Sequence, residues 1–309
     1  MTFNIPVYTV VQKLKGGIGN QLFQVLYGKR VASASKNPLE FDIKSYEQDT
    51  YQRTSILHRL WPEETICEYL PQDTTRVLSE ETNRFPEDGP LPERFMVPEN
   101  LTHLLLDGYW QDYRVVQKES LNDLRNRLAS VVSEKVKILA DQIGNSQNPT
   151  AVHVRRHDYK HHGLCAENYY RDTILWLQQR HANISFYVFS DEPNYTRHFL
   201  DQAGVNAKFI NCGDDLGDLY IMSKCTRHII SNSSYSWWAA VLSNSDFTIY
   251  PSPWSYIGSV SKRMFPAEWA EVNGAVENGI SSRNFYNLLG SEMERIEKLR
   301  CGSKPHGER

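Results

Sequence analysis

The stretch Ala151-Val-His-Val-Arg-Arg-His-Asp-Tyr159 joins a short apolar strand to a run of charged side chains. Side chains of a strand alternate between its two faces, so Val152 and Val154 are expected in one core layer. His153 and Arg155 then share the opposite face. Ligands of open α/β sheets bind beyond the carboxyl ends of the strands, where the charged run begins. The stretch therefore predicts a site for a doubly charged phosphate, and a surface cluster of salt bridges is the alternative interpretation.

The second half of the chain alternates predicted strands and helices. Predicted strands lie at residues 151–154, 184–190, near 209, 228–231 and 247–250. Predicted helices lie at residues 167–179, after Pro193, at residues 218–224 and from Tyr235 onward. This alternation is typical of a parallel sheet covered by helices. A chain of 309 residues is also long enough for two domains.

The first half begins with a strand, a glycine-rich turn and a helix. Residues 7–14 are rich in β-forming residues, and Lys15-Gly-Gly-Ile-Gly-Asn20 follows them. Apolar residues then recur at helical spacing. Free N–H groups at a helix N-terminus attract anions, so the turn is a candidate diphosphate cradle, although glycines also serve tight turns alone. Residues 61–98, interrupted by six prolines, predict irregular structure, and a strand at 104–106 and helices over 113–143 follow.

The composition argues against several classes of protein. A formal net charge of −3 disfavours a general nucleic-acid binder. The five cysteines are scattered without metal-site spacing, which predicts reduced thiols in a cytoplasmic protein. Neither a targeting segment nor an apolar run of membrane-spanning length is present in the sequence, so a soluble protein is expected.

Two more polar clusters follow predicted strands at the same edge of the sheet. The first is Ser190-Asp-Glu-Pro-Asn194, and the second is Ser231-Asn-Ser-Ser-Tyr-Ser-Trp-Trp238 at the start of a helix. Hydroxyl, amide and helix N–H groups in the second cluster predict a phosphate site, with ordinary helix capping as the alternative. Asp218, at the start of the preceding helix, either caps that helix or accepts hydrogen bonds from a purine.

These motifs, taken in order, resemble those of the bacterial α-1,2-fucosyltransferases that use GDP-fucose, with more distant similarity to α-1,6- and protein O-fucosyltransferases. The resemblance is carried by residues 16–24, 108–111, 153–159, 189–192 and 231–240. The chain departs from the family pattern at His157, where glycine is common. The second motif continues into Pro193-Asn-Tyr195, which is expected to change local packing without contacting the donor.

The resemblance implies a GT-B architecture, in which two Rossmann-like α/β domains face a cleft. Residues 1–149 form the predicted acceptor-side domain, and residues 150–285 form the predicted GDP-fucose-binding domain. Residues 286–309 are expected to form a C-terminal helix and a polar tail.

The resemblance also implies roles for individual side chains. Arg155 is expected to grip the β-phosphate with His153 beside it, and Asp218 is expected to accept hydrogen bonds from guanine. The further residues expected at the donor are Gly17, Gly19, Asn20, Gln21, Ser190, Asp191, Asn232, Ser233 and Ser234. A guanidinium fork matches phosphate oxygens and neutralises the charge that develops on departing GDP. The resemblance further implies that neither a metal nor a cofactor is needed, which this chemistry is consistent with.

The implied reaction moves L-fucose from GDP-β-L-fucose, with inversion, to the 2-hydroxyl of a terminal β-galactose on an oligosaccharide, giving an α-1,2 linkage. Asp158 is the first candidate for the catalytic base, and Asp191 and Glu167 are alternatives. Asp158 could instead orient Arg155 or Arg156. A lipid-linked acceptor would bring the protein to the membrane surface as a peripheral partner.

Two other functions stay open at this point. One is transfer by another nucleotide-sugar enzyme of the same architecture, and the other is a sugar-binding module without catalysis. His157, His161 and His162 invite a metal hypothesis, but no cysteine or carboxylate pattern completes a tetrahedral site. A mobile loop on the acceptor side is the other interpretation of these histidines.

Overall fold

The computed structural model describes residues 7–80, 85, 90–157, 163–181, 183–243, 245, 247–255, 261–274, 290–292 and 294–296. The chain divides into two compact units, Met1–Val131 with Ser261–Met264, and Val132–Val260 with Phe265–Arg309. Each unit is built on its own parallel sheet, and helices connect most of the strands that follow one another along the chain. The predicted α/β class with two Rossmann-like domains is therefore confirmed.

The first unit contains β1 (Thr9–Lys13), α1 (Ile18–Ser35), β2 (Leu39–Asp42), α2 (Leu57–Leu60), β3 (Thr75–Ser79), β4 (His103–Asp107) and α3 (Lys118–Val131). Its four-stranded sheet has the order β2-β1-β4-β3. Val10 and Val11 in β1 are fully buried and anchor the sheet in the core. Because β1 pairs directly with β4, the glycine-rich turn after β1 and the Gly108 turn after β4 emerge side by side.

The second unit contains α4 (Glu134–Gly144), β5 (Pro149–Val154), α5 (Glu167–Arg180), β6 (Ser185–Ser190), α6 (Pro193–Gln202), β7 (Ala207–Phe209), α7 (Asp215–Met222), β8 (Arg227–Ile229), α8 (Ser234–Leu242), β9 (Phe247–Ser252) and β10 (Ala270–Asn273). Its six strands are parallel, in the order β10-β9-β8-β5-β6-β7. This is the strand order of the dinucleotide-binding fold. From β5 the chain adds β6 and β7 on one side, and then adds β8, β9 and β10 on the other side, so the order in which strands are added reverses between β5 and β8. Ligands of such sheets bind at that reversal, beyond the carboxyl ends of the strands.

Strand β5 is buried along its whole length. Val152 and Val154 join one hydrophobic core with Val188 of β6 and Ile174 of α5, as the alternation of side chains predicts. A central parallel strand is covered on both faces, so it needs an almost continuous apolar run. His153 is the polar exception in β5 near its carboxyl end, and it too is buried.

Several elements differ from the sequence prediction. β3 lies within the proline-rich region for which irregular structure was predicted, and β2, α2 and β10 were not predicted at all. The three strands among them are short and lie at the edges of their sheets, where few apolar residues repeat with strand periodicity. α7 begins at Asp215, so Asp218 lies inside the first turn rather than at the start of the helix.

Helix α4 belongs to the second unit, whereas the predicted domain boundary after residue 149 put it in the first. Val136 of α4 lies close to Gly217 of α7, where an added Cβ would be 3.4 Å from Val136 Cγ2. At the other end of the chain, residues 290–292 and 294–296 are helical, and Ile296 packs into the core of the second unit. The predicted polar tail lies outside the described residues.

Two expectations concern the chain as a whole. Within the described ranges, the model contains no helix that is both long enough and apolar enough to cross a bilayer. The cysteines in these ranges, Cys67, Cys165, Cys212 and Cys225, carry free thiols, and Cys301 lies outside them.

Candidate active site

A buried hydrogen bond joins the two strands at the point where the order of the second sheet reverses. His153 near the end of β5 and Ser231 just after β8 lie with Nδ1 and Oγ 2.8 Å apart. Both side chains are buried, at 5% and 0% exposure. Val152 pairs with Ile229 in the strand register, so the polar residues that follow each strand emerge together. The predicted clusters after β5 and β8 therefore meet at one edge of the sheet.

His153 is neutral in this environment. Burial, and next the positive charge of Arg155, lower the pKa of His153 to about 3. The ring centroid of Tyr235 lies 5.5 Å from that of His153 and helps to shield it from water. His153 can thus exchange a hydrogen bond with Ser231 as a neutral ring.

The Asp191 carboxylate organises the backbone that follows β5. β6 pairs with β5 so that Val154 lies opposite Ser190, which puts Asp191 next to the charged run. Asp191 Oδ1 accepts the N–H of Arg156 at 3.0 Å, and Oδ2 accepts the N–H of His157 at 3.1 Å. Asp191 Oδ2 also lies 3.2 Å from Nε of Arg155. The carboxylate holds both the turn and the arginine, a role that sequence reasoning missed because no spacing within one segment indicates it.

The two adjacent arginines have different partners. Arg155 pairs with Asp191, and its side chain keeps 32% of its surface exposed. Arg156 pairs through Nε with Oε2 of Glu192 at 3.2 Å and is 18% exposed. Arg155 is therefore the more accessible of the two cations at the carboxyl end of β5.

The serine-rich segment at the start of α8 is buried, with Ser231, Asn232, Ser233 and Ser234 each at most 7% exposed. Ser233 occupies the position before the first helical residue, yet within the described structure its side chain makes no capping hydrogen bond to α8. The geometry therefore does not support capping of α8 by the Ser233 side chain, which was the alternative to a phosphate site. Asn232 has a structural task, since Nδ2 donates to the carbonyl of Gly163 at 2.8 Å.

Two further candidates make local hydrogen bonds. Asp218 Oδ1 accepts the N–H of Cys212 at 3.0 Å, and burial raises the pKa of Asp218. Ser190 Oγ lies 2.9 Å from Thr196 Oγ1 and accepts the N–H of Glu192 at 3.0 Å, which stabilises the start of α6. The donor contacts predicted for Asp218 and Ser190 stay predictions.

In the first unit, the glycine-rich turn is held by a buried glutamine. Gly16 has φ of 79°, a left-handed conformation that favours glycine. Gln21 is 1% exposed, and its Nε2 donates to the carbonyls of Gly16 at 3.2 Å and Thr54 at 3.0 Å. Its Oε1 accepts the N–H of Ile56 at 2.9 Å. Gln21, which was predicted at the donor, thus holds the backbone of this turn. Gly17, also predicted at the donor, has open space beside it, since an added Cβ would have no neighbour within 4 Å among the described residues.

The turn after β4 is tied to the glycine-rich turn. Gln111 Nε2 donates to Oδ1 of Asn20 at 2.7 Å. Gln24, which is fully buried, accepts the N–H of Lys15 at 3.1 Å and donates to the carbonyl of Gly108 at 3.1 Å. These bonds join the motif at residues 16–24 to the motif at residues 108–111. Gly19, another residue predicted at the donor, is buried in the first turn of α1.

Three of the predicted residues fall outside the described ranges, namely Asp158, His161 and His162. His157 is described and exposed. Among described residues there is no group of three or more His, Cys, Asp or Glu side chains arranged to hold a metal ion. The base assigned to Asp158 and the histidine hypothesis both stay predictions.

Residues 93–273 match the family model described as Glycosyl transferase family 11. The chain belongs to glycosyl transferase family 11. This family 11 protein is 31% identical to an α-1,2-colitosyltransferase of Escherichia coli over 79% of its own length and 92% of that relative. It is 32% identical to the E. coli O-antigen biosynthesis glycosyltransferase WbnK, over 39% of this chain and 43% of WbnK.

Similarity of the family 11 protein extends to a galactoside α-(1,2)-fucosyltransferase 1 from Saimiri boliviensis boliviensis, at 27% identity over 40% of this chain and 37% of that enzyme. The chain thus spans less than half of WbnK and of the monkey enzyme, but most of the colitosyltransferase. The resemblance to bacterial α-1,2-fucosyltransferases drawn from the motifs is confirmed. The family 11 protein is accordingly a glycosyltransferase.

Proposed function

We propose that this glycosyltransferase moves L-fucose from GDP-β-L-fucose to the 2-hydroxyl of a terminal β-galactose, inverting the anomeric carbon and forming an α-1,2 linkage. One observation carries the proposal: Arg155, held by Asp191 at 3.2 Å, lies at the carboxyl end of β5 where the strand order reverses. Nucleotides bind at that place in sheets of this order. The name of the galactoside α-(1,2)-fucosyltransferase relative supports the transferred sugar, the acceptor and the linkage.

The diphosphate is proposed to bind between Arg155 and the start of α8. Arg155 supplies a planar cation that matches two phosphate oxygens. The first N–H groups of α8 and the hydroxyls of Ser233 and Ser234 supply neutral donors. Asp218 is proposed to accept from guanine. The contribution expected from Gly17, Gly19 and Asn20 of the first unit stays a prediction.

Transfer is a substitution at the anomeric carbon of fucose. The 2-oxygen of galactose forms a bond to that carbon while the bond to the β-phosphate oxygen breaks, so the electron pair leaves with GDP. Arg155 stabilises the charge that develops on the leaving phosphate, and Asp191 holds the guanidinium in place before the reaction starts. A cation fixed in this way supports transfer without a metal.

The proton of the acceptor hydroxyl must go to a base. Asp158 remains the first candidate, because it follows Arg155 closely in the sequence. Asp191 is less suited, since its oxygens are engaged by two backbone N–H groups and a guanidinium. Glu167, the other alternative base, is already engaged, since it accepts a hydrogen bond from the Tyr195 hydroxyl.

A second donor is favoured by one observation. The relative that this chain spans almost fully, at 92% of its length, is a colitosyltransferase. Colitose is L-fucose without the 3-hydroxyl group, so GDP-colitose presents the same diphosphate and guanine to the site. We therefore propose GDP-colitose as the competing donor. The O-antigen function named for WbnK supports a lipid-linked bacterial glycan as the acceptor, with peripheral contact to the membrane that carries it.

A donor panel tests the proposal. The purified protein is incubated with GDP-β-L-fucose, GDP-colitose, GDP-mannose or UDP-galactose, each with and without a β-galactoside, and the product linkage is determined by NMR. We expect an α-1,2-linked product from GDP-β-L-fucose, and unchanged rates after treatment with EDTA. Transfer only from GDP-colitose would support the second donor. Binding of galactosides that does not depend on nucleotide, with no transfer, would support a sugar-binding module instead.

A further inference from the structure

Tyr195 contacts both ends of the connection between β5 and α5. The guanidinium carbon of Arg156 lies 3.9 Å from the centroid of the Tyr195 ring. The Tyr195 hydroxyl donates to Oε1 of Glu167, the first residue of α5. Arg156 comes two residues after the end of β5. One side chain on the first turn of α6 thus links the beginning of the connection to its end.

Arg156 is enclosed on two sides by α6 and the turn that precedes it. Tyr195 covers the face of its guanidinium, and Glu192 pairs with its Nε at 3.2 Å. Its side chain is only 18% exposed although it lies at the edge of the sheet. A planar guanidinium stacks on an aromatic ring in a way that an ammonium group does not, so these contacts define one orientation for Arg156.

The position of Arg156 decides the position of its neighbour Arg155. The N–H of Arg156 is held by Asp191 Oδ1 at 3.0 Å, and the same carboxylate pairs with Nε of Arg155. A rotation of the backbone at Arg156 would therefore break the bond from its N–H to Asp191, the carboxylate that also holds Arg155. The side chain of Arg156, fixed by Tyr195, opposes that rotation.

We propose that Tyr195 is a positioning residue that acts through Arg156 to hold Arg155 in the orientation required for the leaving diphosphate. The inference rests on the proposed function, because it assigns Tyr195 a part in the same transfer. The proposal assigns Tyr195 no contact with the donor.

Removing the ring tests the proposal. Tyr195→Leu should lower kcat by about fivefold, the size of one exposed cation–π contact, while the KM for the acceptor stays unchanged. Tyr195→Phe keeps the stacked face and loses only the hydroxyl, so its kcat should stay within about twofold of the wild-type value. Phe209→Leu is the matched control, since it removes a ring that lies 4.0 Å from the Arg197 guanidinium, on strand β7, which pairs with β6 rather than with β5.

Hydrogen exchange gives a readout that does not need activity. In Tyr195→Leu, the amides of Arg156 and His157 should exchange faster than in wild type and in Phe209→Leu, with no matching change in the core of β5. Unchanged exchange in Tyr195→Leu would overturn the proposal, and so would faster exchange with an unchanged kcat. If the wild-type protein transfers no sugar, the proposed function fails, and exchange alone decides whether Tyr195 holds this backbone.

Discussion

Asp191 Oδ2 lies 3.2 Å from Nε of Arg155, and the same carboxylate accepts the backbone N–H groups of Arg156 and His157. The residue at the end of β6 therefore sets the direction of the cation at the end of β5. This relationship turns a short basic motif into a preorganised site, because the arginine does not have to find its orientation when the donor binds.

Replacing Asp191 should weaken transfer without unfolding the protein. Asp191→Asn keeps one acceptor oxygen but removes the charge and turns an amide N–H₂ toward other donors. We expect kcat/KM for the donor to fall by about ten- to a hundredfold, the range for hydrogen bonds to charged groups. Steady-state kinetics checks this, with Asp201→Asn at an exposed position of α6 as the matched control. Wild-type kinetics in Asp191→Asn would show that Arg155 is oriented by other contacts.

Removing the Ser231 hydroxyl should destabilise the fold. Ser231→Ala leaves the buried Nδ1 of His153 without its partner at 2.8 Å. An unpaired buried polar group costs about 1 to 3 kcal/mol, so the free energy of unfolding should fall by that amount in urea titrations. Ser130→Ala is the control, because that hydroxyl is exposed and bonds only within its own helix at 2.7 Å. Equal stability of the two variants would contradict a structural role for Ser231.

Stability should depend on pH through two buried histidines. Burial lowers the pKa of His153 to about 3 and that of His228 to about 4, whereas the unfolded chain titrates near the ordinary value of about 6.5. Below about pH 6.5 the unfolded chain binds protons that the folded chain does not, so the free energy of unfolding falls as pH decreases toward 4. Each histidine contributes at most about 1.4 kcal/mol per pH unit.

Unfolding titrations at several pH values measure this dependence. His153→Gln and His228→Gln should each flatten the curve between about pH 6.5 and pH 4. Two variants are used because either buried substitution alone could lower stability at every pH. A wild-type curve that is flat over this window would show that both histidines are protonated in the folded chain.

The local pattern of the sequence was enough to predict most elements of the second unit. Val152 and Val154 alternate with polar residues over a short span, and such spacing depends only on the geometry of one strand. β3 and β10 were missed because edge strands are defined by the neighbour they pair with, and Leu78 is the one buried residue of β3. The place of α4 was also missed, since its contact with Gly217 joins segments far apart in the chain.

The candidate site, too, could be predicted only in part from the sequence. Residue types predicted which side chains gather beyond β5 and β8, and His153 and Ser231 do meet there. Their individual tasks follow from three-dimensional contacts that spacing does not encode. Gln21 and Asn232 have the hydrogen-bonding groups that suit a phosphate, yet their amides bind the backbone at Thr54 and Gly163.

The most direct test of the central claim is the rate of transfer by Arg155→Ala in the GDP-fucose and galactoside assay. Loss of one preorganised charge-stabilising donor should slow kcat by about a hundredfold or more while the fold is retained. Arg197→Ala, which removes a surface guanidinium 4.0 Å from Phe209, should transfer at the wild-type rate. An α-1,2-linked product made at the wild-type rate by Arg155→Ala would contradict the assignment of Arg155 to the leaving diphosphate.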